Sequence, residues 1–151
     1  MTTPLNPRKR TLDILTAMPL QALTAAYSAH FSDAPAARAI RGPEVGLVMV
    51  RGRIGGGGSA FNLGEASVTR ATVSLATGEI GHAMVLGRSP DKAALVAHFD
   101  ALAQRSEWAE RVERDVVAPA IEAEAERRRR DAEETEATRV DFFTLVRGED
   151  A

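Results

Sequence analysis

The sequence predicts an α+β protein, with N-terminal helices, a small antiparallel sheet of at least three strands carrying a glycine-rich loop, and C-terminal helices. Three observations carry that prediction. Apolar residues recur at helical spacing before Ser32 and again after Ser89, whereas between Val45 and Leu86 they alternate with period two. Four consecutive glycines, Gly55, Gly56, Gly57 and Gly58, then divide the strand region. Glycine has no Cβ, so this run can enter positive-φ conformations and let another backbone or an anion come close.

In the first segment, Arg8 to Met18, Leu12, Ile14 or Leu15, and Met18 form a helical stripe. Pro19 interrupts it and suits the opening of a second helix, along which Leu20, Leu23, Tyr27 and Phe31 follow. Ser32-Asp33-Ala34-Pro35 ends this pair, and Ala36 to Arg41 reads as a further short helix or a linker before Gly42-Pro43.

Val45 to Ile54 is the first clear strand. Leu47, Met49, Arg51 and Arg53 lie on one face, and Val48, Val50 and Ile54 on the other. Ala66 to Leu75 and Glu79 to Leu86 form the next two strands. A two-residue turn at Thr77-Gly78 pairs Leu75 with Ile80, Val73 with His82 and Ala71 with Met84, which places His82 on the apolar face. Arg70, Thr72 and Ser74 point the other way.

Ser89-Pro90-Asp91 opens a helix whose stripe is Leu95, His98 or Phe99, and Leu102, ending near Gln104. Trp108, Val112 and Val116 continue an apolar trace toward Pro119. The segment that follows, from Ile121 to Thr138, favours helix by propensity but has almost no apolar face, so it is expected to be solvated or to lie across a partner. Arg127 to Arg130 is balanced by Asp131, Glu133, Glu134 and Glu136 and reads as helix-surface charge. Val140, Phe142, Phe143, Leu145 and Val146 then crowd into a short tail, which must fold back onto the sheet or dock on another chain.

Composition narrows the function classes. The 151 residues are expected to form one domain, 1–151, with 44% hydrophobic and 26% charged residues. No apolar run reaches the roughly 18 residues that suggest a membrane span. The basic start lacks an apolar segment behind it, so a cytoplasmic home is expected. Cysteine is absent, which excludes disulfides, thiolate nucleophiles and cysteine-held iron–sulfur clusters from this chain. A net charge of −2 does not suggest a nucleic-acid binder. The charge is uneven, however: residues 1–75 carry eight Lys and Arg against four Asp and Glu, and residues 76–151 carry eleven against seventeen. Such a dipolar surface suits docking.

The glycine run fails the stricter nucleotide motifs. A P-loop needs Lys-Ser/Thr after its last glycine, and here Ser59-Ala60-Phe61 follows. The dinucleotide fingerprint needs a helix after the glycines, and here a strand follows. Two uses stay open: a flexible connection between strands, or an anion or interface site. Arg51, Arg53 and Arg70 favour the second, because arginine binds phosphate bidentately. Exposed strand positions, or ion pairs with the acidic half, are their plainer role. His30, His82 and His98 are scattered, lack carboxylates at metal-ligand spacing and read as structural, so no metal is expected. No Ser-His-Asp set can be assembled, and the catalytic residues stay unknown.

Two blocks carry a resemblance. Arg53-Ile54-Gly55-Gly56 with Gly58, Phe61, Gly64, Ala66 and Thr69-Arg70-Ala71 resembles the glycine motif of the PhnG family. Arg139-Val140-Asp141-Phe142-Phe143-Thr144-Leu145-Val146-Arg147-Gly148 resembles that family's C-terminal signature, and Gly87-Arg88, Asp91-Lys92 and Asp100-Ala101-Leu102 fit between them. The resemblance implies a subunit of the bacterial carbon–phosphorus lyase core complex. It implies as partners a nucleosidase-type subunit, an H-type core subunit, a radical-enzyme subunit and an ATP-binding-cassette-like protein, with no nucleic acid and no membrane. In that system the assembled complex displaces adenine from MgATP with an alkylphosphonate, and this chain alone holds no cofactor. The expected anion or interface residues are Arg51, Arg53, Gly55 to Gly58, Thr69 and Arg70. The expected docking residues are Arg139, Asp141, Phe142, Phe143 and Arg147. A free-standing phosphate- or nucleotide-binding module and a purely structural scaffold are the competing functions.

Overall fold

The computed structural model describes residues 6–53 and 57–138. Helices α1 (Pro7–Ala17) and α2 (Leu20–His30) lead into β1 (Ala37–Gly52), β2 (Phe61–Leu75) and β3 (Ile80–Leu86). Helix α3 (Pro90–Leu102), helix α4 (Ser106–Val112), a π turn (Glu113–Val117) and helix α5 (Ala118–Ala137) follow. The strands form one antiparallel sheet in the order β1-β2-β3, with helices before and after it, as expected for the α+β class. Ile54, Gly55 and Gly56, where the first strand was expected to end and the glycine loop to begin, lie outside the described residues.

Local chemistry explains the helix starts. The Asn6 side chain accepts from the Arg8 amide at 2.9 Å, satisfying a first-turn donor, and Pro7 supplies a preset φ. Pro90 does the same for α3, with Asp91 in the first turn favoured by the helix dipole. Pro119 has no amide hydrogen to donate back along the helix. The preceding π turn absorbs that lost bond by widening the ladder: the Ala118 amide donates to the Glu113 carbonyl, five residues back.

Helix α3 is the centre of the core. A single apolar stripe was expected, but Val96 to Leu102 is buried without a break. The helix is enclosed because the sheet packs on one side while α1, α2 and α4 pack on the others. Phe31, Phe99 and Trp108 form a linked aromatic cluster with Tyr27, the Phe31 and Phe99 rings meeting edge-to-face at 5.2 Å.

The sheet corrects three expectations. Ala36 to Arg41 is neither helix nor linker, because β1 already begins at Ala37. Strand β2 starts at Phe61 rather than Ala66, since Phe61 to Glu65 is exposed throughout and offers no amphipathic alternation to read. The hairpin register is also displaced by one residue. Leu75 donates to the Glu79 carbonyl at 2.9 Å and Gly78 donates to the Leu75 carbonyl at 3.0 Å, so three residues, Ala76 to Gly78, make the turn. Gly78 takes the positive φ (103°) that such a bulged turn requires. Ser74 therefore faces Ile80, Thr72 faces His82, and Arg70 faces Met84. The buried partners on β3 are Gly81, Ala83 and Val85, and His82 lies on the exposed face beside Thr72.

Helix α5 has no buried residue, as its polar sequence suggests. Its arginines pair with upstream Glu124 and Glu126 rather than with the acidic residues that follow them. Downstream carboxylates stand at the same i,i+3 and i,i+4 spacings, but an acid placed N-terminal to its base is the better oriented pair on a helix.

His98 is buried, and its Nε2 lies 2.9 Å from the Pro35 carbonyl oxygen. Desolvation lowers its pKa below the ordinary value, outweighing the backbone hydrogen bond that raises it. The fold thus favours neutral imidazole, and the unfolded chain takes up a proton first. Stability should fall as pH drops from about 7.5 to about 5.5, through the unfolded His pKa near 6.5. The depressed carboxylates Asp33, Glu44, Glu79 and Asp115 lose their contributions only at lower pH. Denaturation midpoints across that window should flatten in a His98→Gln variant. An unchanged slope would assign the effect to another group.

Candidate functional site

Beyond the helical layer, β1 and β2 continue as a two-stranded ribbon. Val45 pairs with Thr69, Leu47 with Ser67, Met49 with Glu65, and Arg51 with Asn62. Helix α3 is the helix most in contact with β1, and from Val45 to Arg51 every residue but the half-buried Val48 is exposed. Alternation along β1 sets Val45, Leu47 and Met49 on one face and Glu44, Val48 and Val50 on the other; between Val50 and Arg51 the register shifts by one extra residue on β2, Leu63, so β1 itself keeps its alternation and Arg51 follows Met49.

The ribbon separates the arginines that the sequence places together. Arg51 sits at its far end, with Nη2 at 3.4 Å from the Ala60 carbonyl oxygen, and Arg53 follows it, exposed. Arg70 lies opposite Glu44, seven residues back along β1, or roughly 23 Å at the rise of a strand. It also projects from the other face. Its Nε donates to Glu44 Oε1 at 2.6 Å, and Arg41 donates to the same oxygen at 2.8 Å. These two cations, the Arg70 hydrogen bond first among the causes, hold the Glu44 carboxyl below its ordinary pKa. Arg70, Thr72, His82 and Met84 line an open groove of about 390 Å³ with Leu12, Asp13 and Thr16 of α1.

Thr69 is fully buried. Its hydroxyl donates to the Gly87 carbonyl at 2.7 Å and accepts from the Ser89 amide at 3.0 Å, tying β2 to the entrance of α3. Gly57 and Gly58 lie in bends at the ribbon tip, where an added Cβ would meet nothing, and Gly58 has φ 108°. Gly55 and Gly56 lie outside the described residues, as do the tail positions Arg139, Asp141, Phe142, Phe143 and Arg147. The described tip thus exposes two arginines and two glycines.

A second polar centre escaped the sequence. Asp100, with 1% of its side chain exposed, accepts from Arg8 Nε at 2.9 Å and Nη2 at 2.7 Å, and from the His82 amide at 2.8 Å. Hydrogen bonding to Asp100 is the largest cause of the raised Arg8 pKa. Gln104 donates to the Ile80 and Asp100 carbonyls at 2.8 and 3.0 Å. A cleft of about 460 Å³ opens beside this clamp, lined by Asn6, Thr11, Ala109, Val112 and Glu113. The signal in sequence was a lone carboxylate inside an apolar helical run; its partners are 18 and 92 residues away. Among the described residues, no three His, Cys, Asp or Glu side chains are grouped to hold a metal ion, and no helix is long and apolar enough to cross a membrane.

These features define an α+β protein whose buried polar groups are committed to its own packing and whose cationic ribbon reaches beyond its core. Residues 6–148 match the family model described as phosphonate metabolism protein PhnG, and the chain belongs to that family. It is also 52% identical over 145 residues to a protein of Rhizobium meliloti (strain 1021) named alpha-D-ribose 1-methylphosphonate 5-triphosphate synthase subunit PhnG. That match covers 95% of this chain and 90% of the relative.

Proposed function

We propose that this chain is a non-autonomous, cytoplasmic subunit of an alpha-D-ribose 1-methylphosphonate 5-triphosphate synthase in phosphonate catabolism. The single observation that carries this is the 52% identity to a named subunit across 95% of the chain. The assembled complex transfers the ribose 5-triphosphate moiety from MgATP to an alkylphosphonate and releases adenine, with the reacting centre mainly on the nucleosidase-type partner. The H-type and radical-enzyme subunits and an ATP-binding-cassette-like protein complete the assembly. The whole chain, residues 1–151, acts as one domain within it.

In this role the ribbon tip, Arg51 and Arg53 with Gly55 to Gly58, contacts an anion or the partner surface bearing one. Arginine forks and glycine amides are suited to phosphate oxygens. Thr69 holds the base of the ribbon, and Arg70 with Glu44 presents a second polar patch. The tail, through Arg139, Asp141, Phe142, Phe143 and Arg147, docks on another subunit.

The test is adenine release from MgATP and methylphosphonate by the reconstituted complex. Arg51→Ala/Arg53→Ala should lower the rate by about tenfold or more, as expected for lost charge-assisted contacts. Arg70→Ala should lower it less, because Glu44 already engages that guanidinium. A full rate from both well-assembled variants would remove the assignment. A chain ending at Thr138 should fail to co-purify with the nucleosidase-type partner; normal assembly would return the tail to its own fold.

A further inference from the structure

The outer edge of β1 is unlike the rest of the surface. Among the described residues, in the order β1-β2-β3, this strand has a neighbour on one side only, so alternate amide and carbonyl groups along its other side lack a strand partner within the described sheet. Its first half is protected. Register shifts fall between Ala39 and Arg41 and between Arg41 and Glu44, Pro43 lies within the second, and Arg38, Arg41 and Glu44 supply charge; a third shift, between Val50 and Arg51, closes the regular stretch at its other end. From Val45 to Val50 none of these devices is present. The pairing with β2 is regular, the sequence VGLVMV has no charge and no proline, and Val45, Leu47, Met49 and Val50 are 46%, 61%, 53% and 39% exposed. A regular apolar edge of this kind is a template for another strand.

Charge selects the occupant. The apolar stretch spans about 20 Å and is flanked by Arg38 and Arg41 on one side and by Arg51 and Arg53 on the other. Glu44, the acidic residue near it on β1, is already shared by Arg41 and Arg70. Two copies of β1 paired antiparallel about this stretch would bring Arg41 of one beside Arg51 or Arg53 of the other. Like charges set opposite one another oppose that pairing.

We propose that the Val45–Val50 edge is a strand-addition site for a different polypeptide: an extended segment of a partner subunit, with alternating apolar side chains and carboxylates at its ends. Leu47 and Met49 would flank the apolar side chains of the incoming strand, while Arg41, Arg51 and Arg53 would pair its terminal carboxylates. The inference rests on the subunit role proposed above and names the surface through which it acts.

The experiment uses full-length chain co-expressed with the nucleosidase-type, H-type and radical-enzyme subunits. Leu47→Lys should weaken assembly by about tenfold or more, as does loss of a central apolar anchor. The isolated variant should keep the thermal midpoint of the parent, because Leu47 is already exposed. Leu86→Lys, at a 78% exposed position on β3, should assemble normally. A benzophenone side chain at position 47 should cross-link to a partner peptide bearing acidic residues beside an alternating apolar run. Cross-linking to a second copy, to residues 139–148 of this chain, or to nothing would overturn the proposal. Normal assembly of Leu47→Lys alongside an intact parent complex would overturn it alone. A parent chain that assembles with none of these subunits would overturn the subunit role and this inference together.

Discussion

Replacing Gly81 with alanine should leave little folded protein. An ideal Cβ at this position would lie 1.9 Å from the Ala97 carbonyl oxygen and 2.6 Å from the Ala101 amide nitrogen. Both obstacles are backbone atoms of α3, so no side-chain rotation can relieve them. Strand β3 therefore rests directly on the helix at Gly81, opposite Val73 of β2. Two bonds hold that approach on either side: Asp100 accepts from the His82 amide, and Gln104 donates to the Ile80 carbonyl. Moving the helix far enough to admit a methyl group would break both and open the sheet–helix core. Ordinary overpacking costs about 1–3 kcal/mol, and a clash against fixed backbone should exceed about 4, a large share of a net stability of roughly 5–15 kcal/mol. Soluble yield and denaturant midpoint measure the effect. Gly46→Ala provides the contrast, since its added Cβ would meet nothing and should cost less than about 0.5 kcal/mol. A Gly81→Ala protein with the parent midpoint would mean that β3 does not lie flush on α3.

That contact also shows where sequence reasoning stopped. The helices were legible because their signals are local: Pro19 and Ser89-Pro90 mark starts, and apolar spacing marks the buried sides. The faces of β2 were equally legible, since Ala71, Val73 and Leu75 alternate with polar neighbours and are buried as expected. The pairing of β3 was not, because one extra residue in the Ala76–Gly78 turn exchanges its two faces. His82 and Met84 thereby moved outward, and Gly81 and Ala83 moved in. The arginines failed for the opposite reason. Arg51 and Arg70 look close along the chain, yet an extended ribbon converts modest sequence separation into distance and parity into opposite faces.

Removing the Asp100 carboxylate should cause the second large loss of stability. Asp100 lies between α3, β3 and α1, binding the Arg8 fork with both oxygens and the His82 amide with one. Arg8 keeps 44% of its side chain exposed, so solvent screens the pair on one side. The carboxylate itself is buried, and in Asp100→Ala the His82 amide would lose its acceptor while the Arg8 fork lost its anchor. Breaking a buried pair costs about 3–5 kcal/mol; allowing for the exposed guanidinium, about 2–4 is expected here. Asp100→Asn should recover only part of that loss, because its amide nitrogen would turn a donor toward Arg8 or His82. A double-mutant cycle isolates the clamp. Arg8→Ala strands a buried carboxylate with the His82 amide, whereas Arg8→Ala/Asp100→Ala removes both charges, so the double variant should lose about 1–3 kcal/mol less than the two single losses added. Additive losses would show that Arg8 and Asp100 act independently. Coupling would show that the first helix is fastened to the sheet through a charge inside α3, which explains a buried carboxylate in the last turn of the core helix.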